Sequence, residues 1–292
     1  MCSLARVSRA SFYRHWEAQD PGGEETELRE AIQRQWLARR PNGYRMITRA
    51  LRREGWVVNA KKVRRLMRED NLLGLRRRKF VVTSDSDHDF TVYPNLAKNL
   101  VLSDIHQLWV ADITYVRLAR EFVYLAVVLD AYSRRVVGWA LDGHLRGELT
   151  LAALEQAMGR RQPRPGLVHH SDRGSQYAND KYVRRLESIG ALLSMSGPGH
   201  PWENGKCESF IGTLKKEELD GRRYGHLEEL REHLEEFLET VYNRERMHSA
   251  LGYQSPEEFE QQQAARGKPE GWRPAGVSFQ RHEEIYSDVC KD

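Results

Sequence analysis

The 292-residue sequence predicts an α/β fold, a mixed sheet covered by helices, preceded by a basic all-helical segment. Three observations predict it. Apolar runs at 109–116, 122–129 and 136–141 read as three consecutive strands. Beyond them strand and helix patterns alternate. Before them, residues 1–75 show helical periodicity alone.

Within 1–75, Leu28, Ala31, Ile32 and Trp36 recur at helical spacing. After Pro41-Asn42-Gly43, the residues Met46, Ile47, Ala50 and Leu51 line one face of a second helix, which Gly55 is placed to end. Asn59 can cap a third helix over 60–69. On that helix Val63, Leu66 and Met67 fall on one side, and Lys61, Lys62, Arg64, Arg65 and Arg68 on the other. Two helices, a short turn and a helix with an apolar back and a basic front make the helix-turn-helix plan, here over about 42–70. Val7–Arg14 echoes the second helix of another such motif, whose partner would lie upstream of Met1.

Residues 76–104 read as a basic and polar linker, opening with Arg76-Arg77-Arg78-Lys79 and passing Pro94. The segment 105–260 follows. Trp109–Val116, Phe122–Leu129 and Val136–Leu141 are its strands, with Asp130–Arg135 as a hairpin loop between the last two. A helix over Glu148–Met158, a strand over Leu167–His169, a helix over Lys181–Ile189 and a strand over Ala191–Met195 come next. Helices over Asn204–Leu219 and Leu227–Tyr242 complete it. Residues 261–292, with isolated Trp272 and Phe279 among Gly and Pro, form an unassigned tail.

Charge is graded along the chain. The net +4 is the balance of +9 over 1–100, zero over 101–220 and −5 over 221–292. Arg39–Lys79 holds 15 basic residues against 3 acidic ones, the footprint of a nucleic-acid partner. The longest apolar run, Phe122–Leu129, is eight residues, against the ~20 that a membrane-spanning helix needs. No charged-then-apolar leader follows Met1. Cys2, Cys207 and Cys290 are far apart, which excludes a disulfide framework and a thiolate-rich zinc site and fits a reducing cytoplasm.

Three acids stand where chemistry collects. Asp112 interrupts the apolar run Leu108–Val116, a position that costs several kcal/mol unless the charge is paired or metal-bound. Asp172 follows a short strand, in His169-His170-Ser171-Asp172-Arg173-Gly174-Ser175-Gln176-Tyr177. Glu208 stands on the helix after Trp202-Glu203-Asn204-Gly205. Acids from a first strand, a later strand end and a following helix can converge on magnesium, which takes carboxylate oxygens and keeps open positions for phosphate and water. Two such ions would clamp both oxygens of an in-line phosphoryl displacement.

These residues resemble the D-D-E transposase and integrase superfamily, and more narrowly the OrfB product of insertion-sequence-three elements. Trp109-x-x-Asp112-Ile113-Thr114-Tyr115 is similar to its first catalytic motif, and His169–Tyr177 to its second. Asn204-x-x-x-Glu208-Ser209-Phe210, with Lys215 seven residues on, is similar to the third. Tyr242-Asn243-x-x-Arg246-x-His248-x-x-Leu251-Gly252 and Ser255-Pro256 resemble its C-terminal signature, and 35–75 its helix-turn-helix region. Glu203-Asn204-Gly205 departs from the family's usual Asp-Asn-Ala, and the zinc-binding domain of retroviral integrases has no counterpart.

The resemblance implies an RNase-H-like core with Asp112, Asp172 and Glu208 as metal-ligating catalytic acids. Their ion would be Mg²⁺, with Mn²⁺ as a substitute and no zinc. Lys215 is a candidate DNA contact, with Lys61, Lys62, Arg64, Arg65 and Arg68 on the helix-turn-helix. Asn204 either orients the site or caps its helix, and His170 supports the site beside His169. The four signature residues Tyr242, Asn243, Arg246 and His248 either buttress the catalytic helix or touch DNA. Asp104, Asp130 and Asp142 serve turns; Trp36, Trp109, Trp139 and Trp202 serve as core or loop anchors.

The implied reaction is cleavage at the element's inverted-repeat ends followed by strand transfer. Partners would be double-stranded DNA, an OrfA protein and further copies of this chain, on the nucleoid of a bacterial cytoplasm. Two other readings stand beside it: an inactive DNA-binding regulator, which the presence of all three acids opposes, and a structure-selective nuclease, which the helix-turn-helix opposes.

Overall fold

The computed structural model describes residues 23–38, 42–72, 92–197 and 200–266. The echo at Val7–Arg14, the run Arg76–Lys79 and the tail from 267 lie outside them. The chain divides into two compact units, 1–80 and 81–292.

In the first unit, α1 (Gly23–Ala38), α2 (Tyr44–Arg53) and α3 (Ala60–Glu69) close on one core. That core is Leu28, Ala31, Ile32, Ile47, Leu51, Val63, Leu66 and Met67, residues that the helical spacing had grouped. Gly55 ends α2 at φ +92°, the left-handed region where a Cβ would clash. Asn59 caps α3, its Oδ1 accepting from Lys61 N at 2.8 Å.

The second unit is built on a sheet of order β3-β2-β1-β4-β5. β1 (Leu108–Arg117), β2 (Phe122–Asp130) and β3 (Val136–Asp142) form an antiparallel meander. β4 (Val168–Ser171) runs parallel to β1, and β5 (Leu192–Met195) parallel to β4. Two apolar layers cover the sheet. On one side Trp109, Ala111, Ala126 and Val128 meet α4 (Gly147–Arg161) and α5 (Asp180–Glu187) through Leu154 and Tyr182. On the other, Val110, Leu125 and Val127 meet α6 (Gly205–Leu214) and α7 (Leu227–Glu235) through Phe210, Leu214 and Leu234. Burial on both faces explains why β2 is apolar along its length instead of alternating. At Gly138 of β3 the backbone of α4 comes so close that a Cβ would lie 2.2 Å from the Ala153 oxygen.

Three features differ from the sequence expectation. The helices expected over Asn204–Leu219 and Leu227–Tyr242 do not run on as α-helix. α6 continues as a π turn, Lys215–Leu219, with Asp220 N donating to Lys215 O, and α7 continues as π over Glu236–Glu245. A helical wheel assumes a constant angle per residue, so it cannot register an added one. A further helix, α8 (Pro256–Ala265), was not anticipated, although its signal is in the sequence. Ser255 Oγ accepts from Glu258 N while Glu258 Oε2 accepts from Ser255 N, a capping box with Pro256 at the first turn. Finally, from residue 92 the stretch read as linker packs into the second unit. Leu96, Ala97, Leu100 and Leu102 join its core, and Leu96 N donates to Ser194 Oγ at 2.8 Å.

Candidate active site and nucleic-acid interface

The register of β1 and β4 sets the site. Val110 lies opposite His170 in the last pair of the parallel register, so Asp112 and Asp172 each follow two residues beyond it, on neighbouring chains. Asn204 Nδ2 donates to Ala111 O at 3.0 Å, which ties the start of α6 to β1 and brings Glu208, in its first turn, toward the same point. Asp172 is held by Gly174 N, donating to its Oδ1 at 3.0 Å. A Cβ at 174 would come within 3.0 Å of that oxygen, so a side chain here would press on the Asp172 carboxylate.

The electrostatics agree with this convergence. The Asp112 carboxyl is pushed up to about 7, first by desolvation and then by the negative charge of Asp172; Glu208 adds to it. The Ile113 N–H, 2.8 Å from Oδ1, and the charge of Lys215 act in the opposite direction. Burial and the same three acids also raise the Cys207 thiol well above its ordinary value. Mutually repelling carboxylates in a partly buried site are a donor set that a hard divalent cation would relieve. Among the described residues, no three His, Cys, Asp or Glu side chains are already drawn together as a cation cage.

Lys215, at the α-to-π junction, places Nζ 5.2 Å from the centre of the Tyr115 ring, a contact that the sequence did not signal. Asn204 makes no capping hydrogen bond; its Oδ1 is buried without a partner. His170 is pinned by Ser194 Oγ (2.8 Å) and Ser196 Oγ (3.0 Å), and His169 by Tyr182 OH (2.9 Å). Burial lowers both rings, to about 4 and about 3, so both are neutral supports of the strand that carries Asp172. Glu203 braces the preceding loop, accepting from Gly197 N at 2.8 Å.

The C-terminal signature residues buttress. Asn243 accepts from Val136 N and donates to Val136 O, both at 3.0 Å. Tyr242 packs edge-on against Phe210 of α6 and against His248. Arg246 grips Glu217 of the π turn with two bonds, 2.9 and 2.8 Å. Asp130, fully buried, accepts from His106, Tyr132 and Ser133 N–H groups, a turn role as expected. Trp109 is in the core and Trp139 donates to Glu239. Trp202 departs from the anchor expectation: it is 67% exposed, stacked on His200.

In the first unit the basic face of α3 is divided. Arg65 is committed within the unit to Glu25 and Glu69, and Lys62 lies 4.0 Å from Glu25. Lys61, Arg64 and Arg68 have no carboxylate partner among the described residues. Arg64 instead lies 5.5 Å from the centre of the Tyr44 ring, beside Arg45 at 5.6 Å. Tyr44 and Arg45, at the start of α2, are absent from the sequence-based site. An aromatic beside an arginine in a basic block was the available signal.

The fold is that of an integrase-type core, accompanied by a helix-turn-helix-like unit. The integrase core domain family matches residues 104–201 and again 190–256, and an HTH-like domain family matches 24–80. The 31 kDa protein of insertion element IS600 from Shigella sonnei is 36% identical over 264 residues, 89% of this chain and 97% of that protein. The transposase of insertion sequence element IS904 from Lactococcus lactis is 35% identical over 73% of this chain and 85% of its own length. Transposase InsF for insertion sequence IS3A from Escherichia coli K12 is 32% identical over 91% of this chain and 94% of its own. The chain belongs to the insertion-sequence-three family of transposases. Among solved structures, a chain of the simian T-cell lymphotropic virus intasome matches with a TM-score of 0.47 at 13% identity, over 82% of this chain and 75% of that one. No helix among the described residues is long and apolar enough to cross a membrane.

Proposed function

We propose that this protein cuts and joins DNA at the inverted-repeat ends of an insertion sequence by phosphoryl transfer, with Asp112, Asp172 and Glu208 as its catalytic acids. The observation that carries this reading is the Asn204 Nδ2 bond to Ala111 O, which fastens the helix of Glu208 beside the strand position of Asp112; the charges of Asp172 and Glu208, which hold up the Asp112 carboxyl, support it. Mg²⁺ or Mn²⁺ held by the three carboxylates would lower the pKa of an attacking water and offset charge on the phosphate.

The residues of the chain do the rest. Asp112 and Asp172 are set by the β1–β4 register, and Asn204 fixes α6, so the acids meet the scissile phosphate pre-ordered. Lys215 holds a phosphate of the same strand beside them. Hydrolysis breaks one P–O bond and frees a 3′-hydroxyl; that hydroxyl then displaces the 3′-oxygen of a second phosphodiester. Lys61, Arg64 and Arg68 hold the element's end through its backbone and grooves, with Lys62 and Arg65 positioning α3. An OrfA protein and further copies of this chain complete the assembly, on bacterial DNA in the cytoplasm.

The test is end joining on a labelled fragment bearing both element ends, with Mg²⁺, with and without OrfA, comparing wild type and Asp172→Ala. Joined products that vanish in the variant support the reading. Cleavage without joining would make the protein a nuclease, and binding with no chemistry a regulator.

A further inference from the structure

Arg117 and Phe122 are the last pair of the β1–β2 register, and here three side chains of the hairpin stand in a row with a fourth, Lys215, from the end of α6. Lys215 Nζ lies over the Tyr115 ring at 5.2 Å. Tyr115 meets Phe122 edge to face, ring centres 5.7 Å apart. The Arg117 guanidinium lies 5.7 Å from the centre of the Phe122 ring. The inner end of the row, Lys215, stands two helical turns beyond Glu208 on the same continuous helical stretch, and its charge acts on Asp112. The outer end is open, with Phe122 49% exposed.

The row is held in place. Leu118 N donates to Glu121 O at 2.8 Å across the turn, and Ala119 N to Tyr224 O at 3.0 Å. Neither Lys215 nor Arg117 has a carboxylate partner among the described residues. Two cations flanking a pair of aromatic rings ask for a ligand with repeating negative charge and flat apolar faces. Nucleic acid has both, but a duplex hides its base faces; an unpaired strand shows them.

We propose that Lys215, Tyr115, Phe122 and Arg117 form a track for an unpaired DNA strand leading away from the catalytic acids. Lys215 and Arg117 hold its phosphates and a base stacks at Phe122. This rests on the DNA-joining reading and adds to it a single-stranded segment next to the scissile phosphate.

The test uses the full chain and fluorescence anisotropy on two probes, a labelled oligothymidylate and a fully paired element end. Phe122→Ala weakens the single strand about tenfold, as loss of one base stack does, and the duplex less than about twofold. Phe122→Trp restores single-strand affinity. Arg117→Ala weakens the single strand and lowers the slope of log affinity against log salt by about one. Equal losses on both probes, no loss on either, or a wild type that binds the duplex alone would each overturn the track. End joining, scored separately, would then still decide the enzymatic reading. Phe122 is exposed, so its variants are expected to fold; if the melting curve of Phe122→Ala collapses, Arg117→Ala decides.

Discussion

The side-chain amide of Asn204 bonds to the main-chain oxygen of Ala111, the residue directly before Asp112. A strand and a helix that each carry an acid are thereby fastened one residue from one acid and four from the other. Asn204→Asp keeps the size of the side chain but removes the donor and adds a fourth carboxylate. Joining activity should drop at least tenfold in this variant. Asn204→Ala should cost about 1–3 kcal/mol of stability, from the unpaired Ala111 oxygen, read by urea unfolding.

Asp112→Asn separates stability from function. The carboxyl it replaces is held up at about 7 by burial and by Asp172 and Glu208, so the acids work against the fold when no cation is bound. At pH 8 in EDTA the variant should melt above wild type while joining no ends. Adding Mg²⁺ should raise the melting temperature of wild type more than that of the variant.

Asn243→Leu tests the buttress. The lost pair of bonds leaves Val136 N and O buried without partners, at a cost of about 2–4 kcal/mol. Because Asn243 bonds β3, which carries none of the three acids, joining at low temperature should survive while the urea midpoint falls.

Acid should unfold the catalytic unit through its buried histidines. His169 is lowered to about 3, well under its unfolded value near 6.5. Its contribution to stability is therefore complete above that unfolded value and is lost as pH falls from about 6.5 toward 3. His169→Leu, though less stable for lack of the Tyr182 partner, should show a flatter fall between pH 6.5 and 4 in denaturant titrations.

Arg64→Ala and Arg65→Ala should differ, although both residues lie on the basic side of α3. Arg65 is held by Glu25 and Glu69, while Arg64 stands over Tyr44 without a carboxylate. The Arg64 change should lower the salt slope of duplex binding by about one, and the Arg65 change should leave it near wild type.

These contrasts show what the sequence discloses. Apolar spacing located all five strands and every helix but α8, because burial on a periodic element leaves a periodic trace. Asp112 was visible as a charge inside an apolar run, and Asp172 and Glu208 as acids at a strand end and on a helix. The tie of Arg65 to Glu25 crosses forty residues of chain, and the stack of Lys215 on Tyr115 a hundred, so no local pattern encodes either. The start of α8 was encoded, in Ser255-Pro256-Glu257-Glu258, and simply was not read.

The widened turn over Lys215–Leu219 holds one residue more than an α-helical turn could. Losing Lys216 would leave an ordinary helix, yet it would swing Glu217 about 100° away from Arg246 and Glu218 as far from Tyr224. Gaining one residue upstream in α6 would swing Lys215 off Tyr115 instead. Insertions and deletions in this stretch are thus steering events rather than changes of length, and descent with a one-residue gap can re-aim the helix while every residue type survives.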